Sequence, residues 1–191
     1  MFARTERLIL RPSWPEDAAT LAKAISHPDV SRNLLSVPAG YDEAAAIDWI
    51  KRPRDPRRPE FRALLRTRGA PRLVGGAGIV RGETGRLELS YWIERSHWGL
   101  GFATEATRAV MRIARATGLS GVAAGHFLDN PSSARVLRKI GFRPTGKVEP
   151  RVSCARADAV PTVMFEDKGP VDEPREDAML QLYKDKMPAW A

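Results

Sequence analysis

The chain has 191 residues, 43% hydrophobic and 28% charged, with a formal net charge of +8. That is enough for one domain with a sizeable core and a tail, and no apolar run reaches the ~20 residues of a membrane span. Cys154 stands alone, which excludes an intrachain disulfide, and His27, His97 and His126 form no i, i+4 pair, which argues against zinc.

The opening "MFARTERLILRP" flanks a short apolar run with charge on both sides and does not read as a signal peptide, so a cytoplasmic protein is expected. Residues 5–12 predict a strand with Leu8 and Leu10 on one face and Arg7, Ile9 and Arg11 on the other. Residues 13–27 predict a helix, with Pro15 near its start and Leu21 and Ile25 at helical spacing. Residues 41–52 predict a second helix that opens on acidic side chains, as the helix dipole favours. Between Lys51 and Arg72, nine basic residues face only Asp55 and Glu60. Such a block can attract nucleic acid or an anionic cofactor. Pro53, Pro56 and Pro59 favour a solvated loop instead, and no aromatic alternates with the arginines to stack on bases. Nucleic acid is therefore the weaker expectation.

Strands follow at 61–67 and 71–82, split by the turn signal Arg68-Gly69-Ala70-Pro71. Residues 85–95 give the clearest strand: Leu87, Leu89, Tyr91 and Ile93 face one way, Glu88, Ser90 and Trp92 the other. A helix then runs to about residue 118, and a small-residue strand occupies 121–128. In "DNPSSARVLRKIGF", Asn130 caps a helix, Pro131 fits its first position, Gly141 closes it, and Ala134, Leu137 and Ile140 form its buried stripe. Residues 143–148 and 161–166 supply two last strands. This irregular mixture predicts an α/β (α+β) domain over 1–166, with a largely antiparallel sheet rather than a doubly wound one. From 167 to 191 the chain changes to an acidic tail. There "EDAMLQLYKDKM" has the pattern of a short amphipathic helix, with Met179, Leu182 and Met187 on one side. Docking on its own domain and crossing to a second copy in a homodimer are both open.

The junction "YWIERSHWGLGFATEATRAV" leaves the clearest strand, spends Gly99 and Gly101 on a turn, and enters a helix at once. A helix start offers about four backbone N–H groups without intrahelical partners, plus the positive end of the dipole. Glycines let a phosphate come close to that backbone, and no carboxylate stands between Trp98 and Thr104. A Walker loop is excluded because no Gly-x4-Gly-Lys-Ser/Thr occurs. A dinucleotide fingerprint would want Gly or Ala where Thr104 stands, and an acid ~20 residues on; Asp129 comes too late.

The string "ELSYWIERSHWGLGFATEA" followed by "DNPSSARVLRKIGF" resembles the GNAT acetyltransferases, and within them the branch of the ribosomal-protein N-terminal acetyltransferases. The likeness runs from "ERLILRP" to about "VMFE" and leaves the tail out. The family turn usually reads Gln/Arg-x-x-Gly-x-Gly/Ala. Here Trp98 takes the first position, an aromatic as is frequent in this branch, and Gly101 and Ala103 keep the rest. The resemblance implies a GNAT fold: a mostly antiparallel mixed sheet of about seven strands, helices on both faces, and a splayed central strand pair. It implies acetyl-CoA as cosubstrate, an amine as acceptor, and no metal. The pyrophosphate would lie on the turn formed by Trp98, Gly99, Leu100, Gly101, Phe102, Ala103 and Thr104. The arm would pair with backbone near Ile93, and Asn130 would lie beside it. Glu88 matches the position of a family glutamate and is the candidate general base. Many relatives place a tyrosine in the helix after the splayed strand to serve the departing thiolate. None occurs between Asn130 and Ile140 here, and Ser133 occupies the place of the branch's serine. Arg138 or Lys139 is a candidate for the 3′-phosphate. Two other readings are a non-catalytic CoA-binding regulatory module and a basic nucleic-acid-binding protein.

Overall fold

Residues 1–82 and 84–169 are described by a computed structural model of the protein. The strands are β1 (Ala3–Arg4), β2 (Leu8–Arg11), β3 (Glu60–Leu65), β4 (Arg72–Arg81), β5 (Leu87–Ile93), β6 (Ala123–Phe127), β7 (Phe142–Arg151) and β8 (Val160–Asp167). They make one sheet in the order β1-β2-β3-β4-β5-β6-β8-β7. Every neighbouring pair is antiparallel except β5 with β6. The parallel pair meets only where Glu88 stands opposite Ala123, and beyond that point the two strands part. This is the expected splay, in a sheet of eight strands rather than about seven. The extra strand is β1, whose Ala3 lies opposite Leu10, and two residues are too few to show a period.

Both faces of the sheet are covered. On one, α4 (Phe102–Ala116) and α5 (Pro131–Lys139) pack over Leu8, Leu10, Phe61, Val74, Leu89 and Phe142. In α4 the buried Phe102, Ala106, Ala109, Val110 and Ala114 recur at helical spacing, while Arg108 and Arg112 stay in water. In α5 the stripe is Ala134 and Leu137, continued by buried Ile140. The Asn130 side chain accepts from Ser133 N–H at the start of α5, Pro131 follows, and Gly141 adopts φ 96° just past its end. On the other face, α1 (Ala18–Ser26), α2 (Pro28–Ser31) and α3 (Glu43–Lys51) bury a smaller core around Leu21, Ile25, Ala46, Leu73 and Trp92. β5 thus feeds both cores: Leu89 and Ile93 enter the first, Trp92 the second.

α2 was not expected, because four residues carry no period. It bridges the mouth of the splay. Asp29 pairs with Arg95 just past β5 at 3.0 Å, and the adjacent Arg32 pairs with Asp129 just past β6 at 2.6 Å. Residues 170–191, with the amphipathic helix expected around Met179, Leu182 and Met187, lie outside the described residues. Among the described residues no helix is long and apolar enough to cross a membrane.

Candidate active site

The turn after β5 forms as its residue types require. A short 3-10 turn (Arg95–His97) leads to Trp98; Gly99 and Gly101 then adopt φ 78° and 83°, and α4 begins at Phe102. Both glycines lie in the left-handed region, where a Cβ is strained. The first bond into the helix runs from Glu105 N–H to Gly101 O at 3.1 Å. Among the described residues, the N–H groups of Gly99, Leu100, Gly101, Phe102, Ala103 and Thr104 donate to no protein group. Gly99, Leu100 and Gly101 are exposed. An exposed run of unpaired donors at the positive end of a fifteen-residue helix is a seat for a polyanion. The donor set therefore fits the pyrophosphate of CoA.

Glu105 does not spoil that seat, because its charge is met from the N-terminus of the chain. Arg7 donates through Nε and Nη2 to Glu105 Oε2, each at 2.7 Å, while the Thr5 hydroxyl (2.6 Å) and Arg7 N–H (2.8 Å) donate to Oε1. Burial pushes the Glu105 carboxyl upward, but the Thr5 and Arg7 hydrogen bonds outweigh it and hold the group below its ordinary range. Arg7 also donates through Nη1 to Leu100 O at 2.8 Å, and its guanidinium lies 4.6 Å from the centre of the Phe102 ring. It grips both ends of the turn. Sequence reading placed Arg7 on the polar face of a strand and gave it no part in the site. Its partner is 98 residues away, and only the pairing of β2 against the sheet brings them together.

Trp98 has a structural task. Its indole Nε1–H donates to Ile93 O at 2.7 Å, and Arg95 stacks on its ring at 4.7 Å. This refines the expectation for Ile93. Glu94 N–H bonds to Val74 O on the β4 side, so strand alternation turns the backbone groups of Ile93 and Tyr91 toward the splay. The Ile93 carbonyl is taken by Trp98, which leaves its N–H and the Tyr91 backbone facing the gap.

Across that gap two hydroxyls meet. Tyr91 Oη lies 2.7 Å from Ser133 Oγ and 3.2 Å from Ser133 O. Asn130, expected beside the cofactor arm, holds Ser133 from the other side, its Oδ1 accepting from Ser133 N–H at 3.3 Å. Tyr91 supplies from β5 a phenol that α5 lacks; this the sequence reading missed, although Tyr91 was placed on the correct face. Burial pushes the phenol up to about 12, against the smaller lowering effect of the Ser133 hydrogen bond.

Glu88 lies on the opposite face, at the closed end of the splay and about 16 Å of strand from Ile93. It is buried, and both its oxygens accept from Arg151 at 2.7 Å. Gly82 makes room for it, since a Cβ there would stand 2.5 Å from Glu88 Oε1. The candidate general base is thus half of a buried bidentate pair, with one lone pair on each oxygen left for a proton or a water. Arg138 and Lys139 are exposed, and Arg138 points 5.8 Å from the Phe165 ring centre.

The face that carries Glu88 continues past Ser90 to Trp92, whose indole lies beside Gly76 and the buried Arg62. A Cβ at Gly76 would sit 2.4 Å from Arg62 Nη1. Arg62 is held by Ser13 Oγ (2.7 Å) and by the Trp49 ring (4.3 Å), and burial pushes it down to about 10. Much of the basic block at 51–72 is occupied in the same way. Arg54 pairs with Glu60, Arg57 and Arg58 with Asp55, and Arg66 bonds to Glu6 O. Over the same face, residues 153–156 clasp residues 32–35: Ser153 Oγ donates to Leu34 O, Cys154 N–H to Leu35 O, and Arg156 to Arg32 O and Asp129.

Residues 7–143 match the family described as an acetyltransferase (GNAT) domain. YoaA of Bacillus subtilis strain 168, an uncharacterised N-acetyltransferase, is 31% identical over 74% of this chain and 82% of that protein. A GNAT-family acetyltransferase from Bacillus anthracis shares the fold with a TM-score of 0.72 at 20% identity, covering 87% of this chain and 97% of that one. The microcin C7 self-immunity acetyltransferase MccE, solved with acetyl-CoA and AMP, gives 0.71 at 13% identity over 85% and 93%. The splayed pair, the donor-rich turn and the sequence match lead to one conclusion: the chain belongs to the GNAT family of acetyl-CoA-dependent acetyltransferases.

Proposed function

We propose that the protein transfers the acetyl group of acetyl-CoA directly to a primary amine, a protein N-terminus or a small-molecule amine, within a ternary complex. The observation that carries this reading is the run of unpaired N–H groups from Gly99 to Thr104, at the end of a strand that has parted from its neighbour. Acetyl-CoA supplies the acetyl thioester. The N–H groups of residues 99 to 104 bind its pyrophosphate, and the Ile93 and Tyr91 backbone directs its arm into the splay. The amine enters from the face of Glu88, and the departing sulfur lies toward Ser133. A carboxylate on one face and a hydroxyl on the other suit direct transfer, in which the proton leaves on one side and the leaving group on the other.

An attacking amine must be neutral. An α-amino group (~8) needs far less help than a lysine (~10.4) in losing its proton. Glu88 takes that proton, and the bidentate Arg151 fixes the carboxylate in place. Ser133 donates a hydrogen bond to the sulfur as the carbon–sulfur bond breaks. Cys154 is exposed in the 152–159 loop, outside both the turn and the α5 motif, so no acetyl-cysteine stage is invoked. The aromatic at the head of the turn and the serine at position 133 support the ribosomal-protein N-terminal acetyltransferase branch. The experiment is two-substrate kinetics: intersecting reciprocal plots are expected, whereas parallel lines would indicate a covalent acetyl-enzyme and overturn direct transfer.

A further inference from the structure

The hydroxyl of a Ser or Thr in or beside a helix is often used by the helix itself. Thr107 and Thr117 in and after α4 do this, bonding back to Ala103 O (2.7 Å) and Ile113 O (3.0 Å). Ser133 does not. Its own N–H is met by Asn130, through Oδ1 at 3.3 Å and the backbone O at 3.2 Å, so α5 is capped without the Ser133 hydroxyl. That hydroxyl reaches across to β5 and meets Tyr91 at 2.7 Å. The pair joins the two walls of the splay, because Tyr91 lies on β5 and Ser133 on the helix that follows β6.

Two hydroxyls in contact share one hydrogen bond, and by geometry either oxygen of this pair can be its donor. The Tyr91 proton has two acceptors, Ser133 Oγ at 2.7 Å and Ser133 O at 3.2 Å. The carbonyl already accepts within the α5 ladder and is the longer contact, which favours Oγ as the acceptor of the phenol proton. The Ser133 proton then points elsewhere. A phenol pushed up to about 12 stays protonated throughout the neutral range, so it keeps a proton to donate.

We propose that Tyr91 is a positioning residue for Ser133: by donating to Ser133 Oγ it turns the serine O–H toward the gap, where the departing thiolate of CoA accepts its hydrogen bond. This rests on the role given to Ser133 above. In the step concerned, the amine nitrogen bonds to the acetyl carbon, the carbon–sulfur bond breaks, and its electron pair leaves on sulfur as thiolate. The proton of the amine goes to Glu88 and on to solvent. Neither hydroxyl loses its proton; each only donates a hydrogen bond, Tyr91 to Ser133 and Ser133 to sulfur.

The test reads the thiol of bound CoA in the full-length protein and needs no knowledge of the acceptor. The ultraviolet absorption of the thiolate is followed as pH is raised, for the wild type, Tyr91→Phe, Ser133→Ala, the double variant and Ser133→Thr. Ser133→Ala should lower the bound thiolate fraction at neutral pH about fivefold, the worth of one hydrogen bond. Tyr91→Phe should lower it about twofold to threefold, with no further loss when added to Ser133→Ala. Ser133→Thr should retain most of the wild-type value. Equal effects of Tyr91→Phe with and without Ser133 would overturn the proposal, and so would no effect in either background. If Ser133→Ala leaves the thiolate fraction unchanged, the reading of Ser133 itself fails, whatever Tyr91 does. Calorimetry on the wild type checks the level beneath: no heat with CoA would remove the binding site altogether.

Discussion

Arg7 shows how much of the turn depends on a residue far away in the chain. One guanidinium meets Glu105 with two nitrogens and the Leu100 carbonyl with a third. Arg7→Gln leaves the Glu105 carboxylate with the Thr5 hydroxyl and one backbone N–H, and a lost charge-assisted bond costs about 1.5–3 kcal/mol. Denaturant unfolding should show that loss, and calorimetry should show weaker CoA binding. Glu88→Gln is the opposite case: CoA affinity should hold within about twofold, while turnover at neutral pH falls by roughly 10²–10⁴ if Glu88 is the base. Steady-state rates beside CoA titrations separate the two, and unchanged turnover would remove Glu88 from the mechanism. Acid stability follows from the same kind of contact. Burial pushes Asp17 upward, but two bonds from Arg11, at 2.6 and 2.7 Å, and one from Trp14 N–H more than reverse this, so Asp17 and Glu105 are both depressed in the fold. Depressed carboxyls stabilise fully above their unfolded values and lose that contribution as pH falls toward the folded ones. Unfolding free energy should therefore drop between about pH 5 and pH 3, and Arg11→Gln should flatten part of the drop. The places of Glu88 on a strand and Ser133 at a helix start were legible from strand phase and capping pattern. Arg7, Arg151 and Tyr91 as partners were not, because each acts through a residue on another element.

Among elements, the junction of β5 and α4 was the most legible. Two glycines and an absence of acids stand directly on the sequence, and both glycines adopt the positive φ that explains them. Gly101→Asp tests this at the level of the turn. Aspartate brings a negative charge to the free N–H groups and repels phosphate, and its Cβ is strained at φ 83°. CoA affinity should fall roughly 100-fold or more while the circular dichroism of the fold is retained, and normal binding would refute the assignment. β2 and β5 were legible because their side chains alternate between the two faces, and the longer helices because each carries a helical stripe. β3 and β4 are continuously buried runs read from the turn between them, and β7 is exposed along most of its length. β1 and α2, of two and four residues, carry no period. The splay was inferred from resemblance alone, since no periodicity tells where two parallel strands separate. The structure supplies a physical reason for its width. Arg95 and Asp129, the residues that follow the two strand ends, are each tied to the α2 segment, and the Ile93 carbonyl is turned to Trp98 instead of a neighbouring strand.

At the scale of the whole molecule, one sheet separates two kinds of surface. The face under α4 and α5 carries the turn, Tyr91 and Ser133; the face under α1 to α3 carries Glu88, Trp92 and Arg62. The splay is where the two communicate, which gives direct transfer a route through the sheet. Composition had suggested a block of positive charge at 51–72. In the fold that block is divided: Arg62 is buried, Arg54, Arg57 and Arg58 are ion-paired, Lys51 ends α3 and Arg72 opens β4. The measurement that tests the central claim most directly is release of free thiol from acetyl-CoA against a panel of amines, with mass spectrometry of the acceptor. The account predicts thiol in step with one acetyl group gained on an amine, lost in Gly101→Asp. Tight CoA binding with no thiol released by any peptide N-terminus, polyamine, amino acid or aminoglycoside would contradict it.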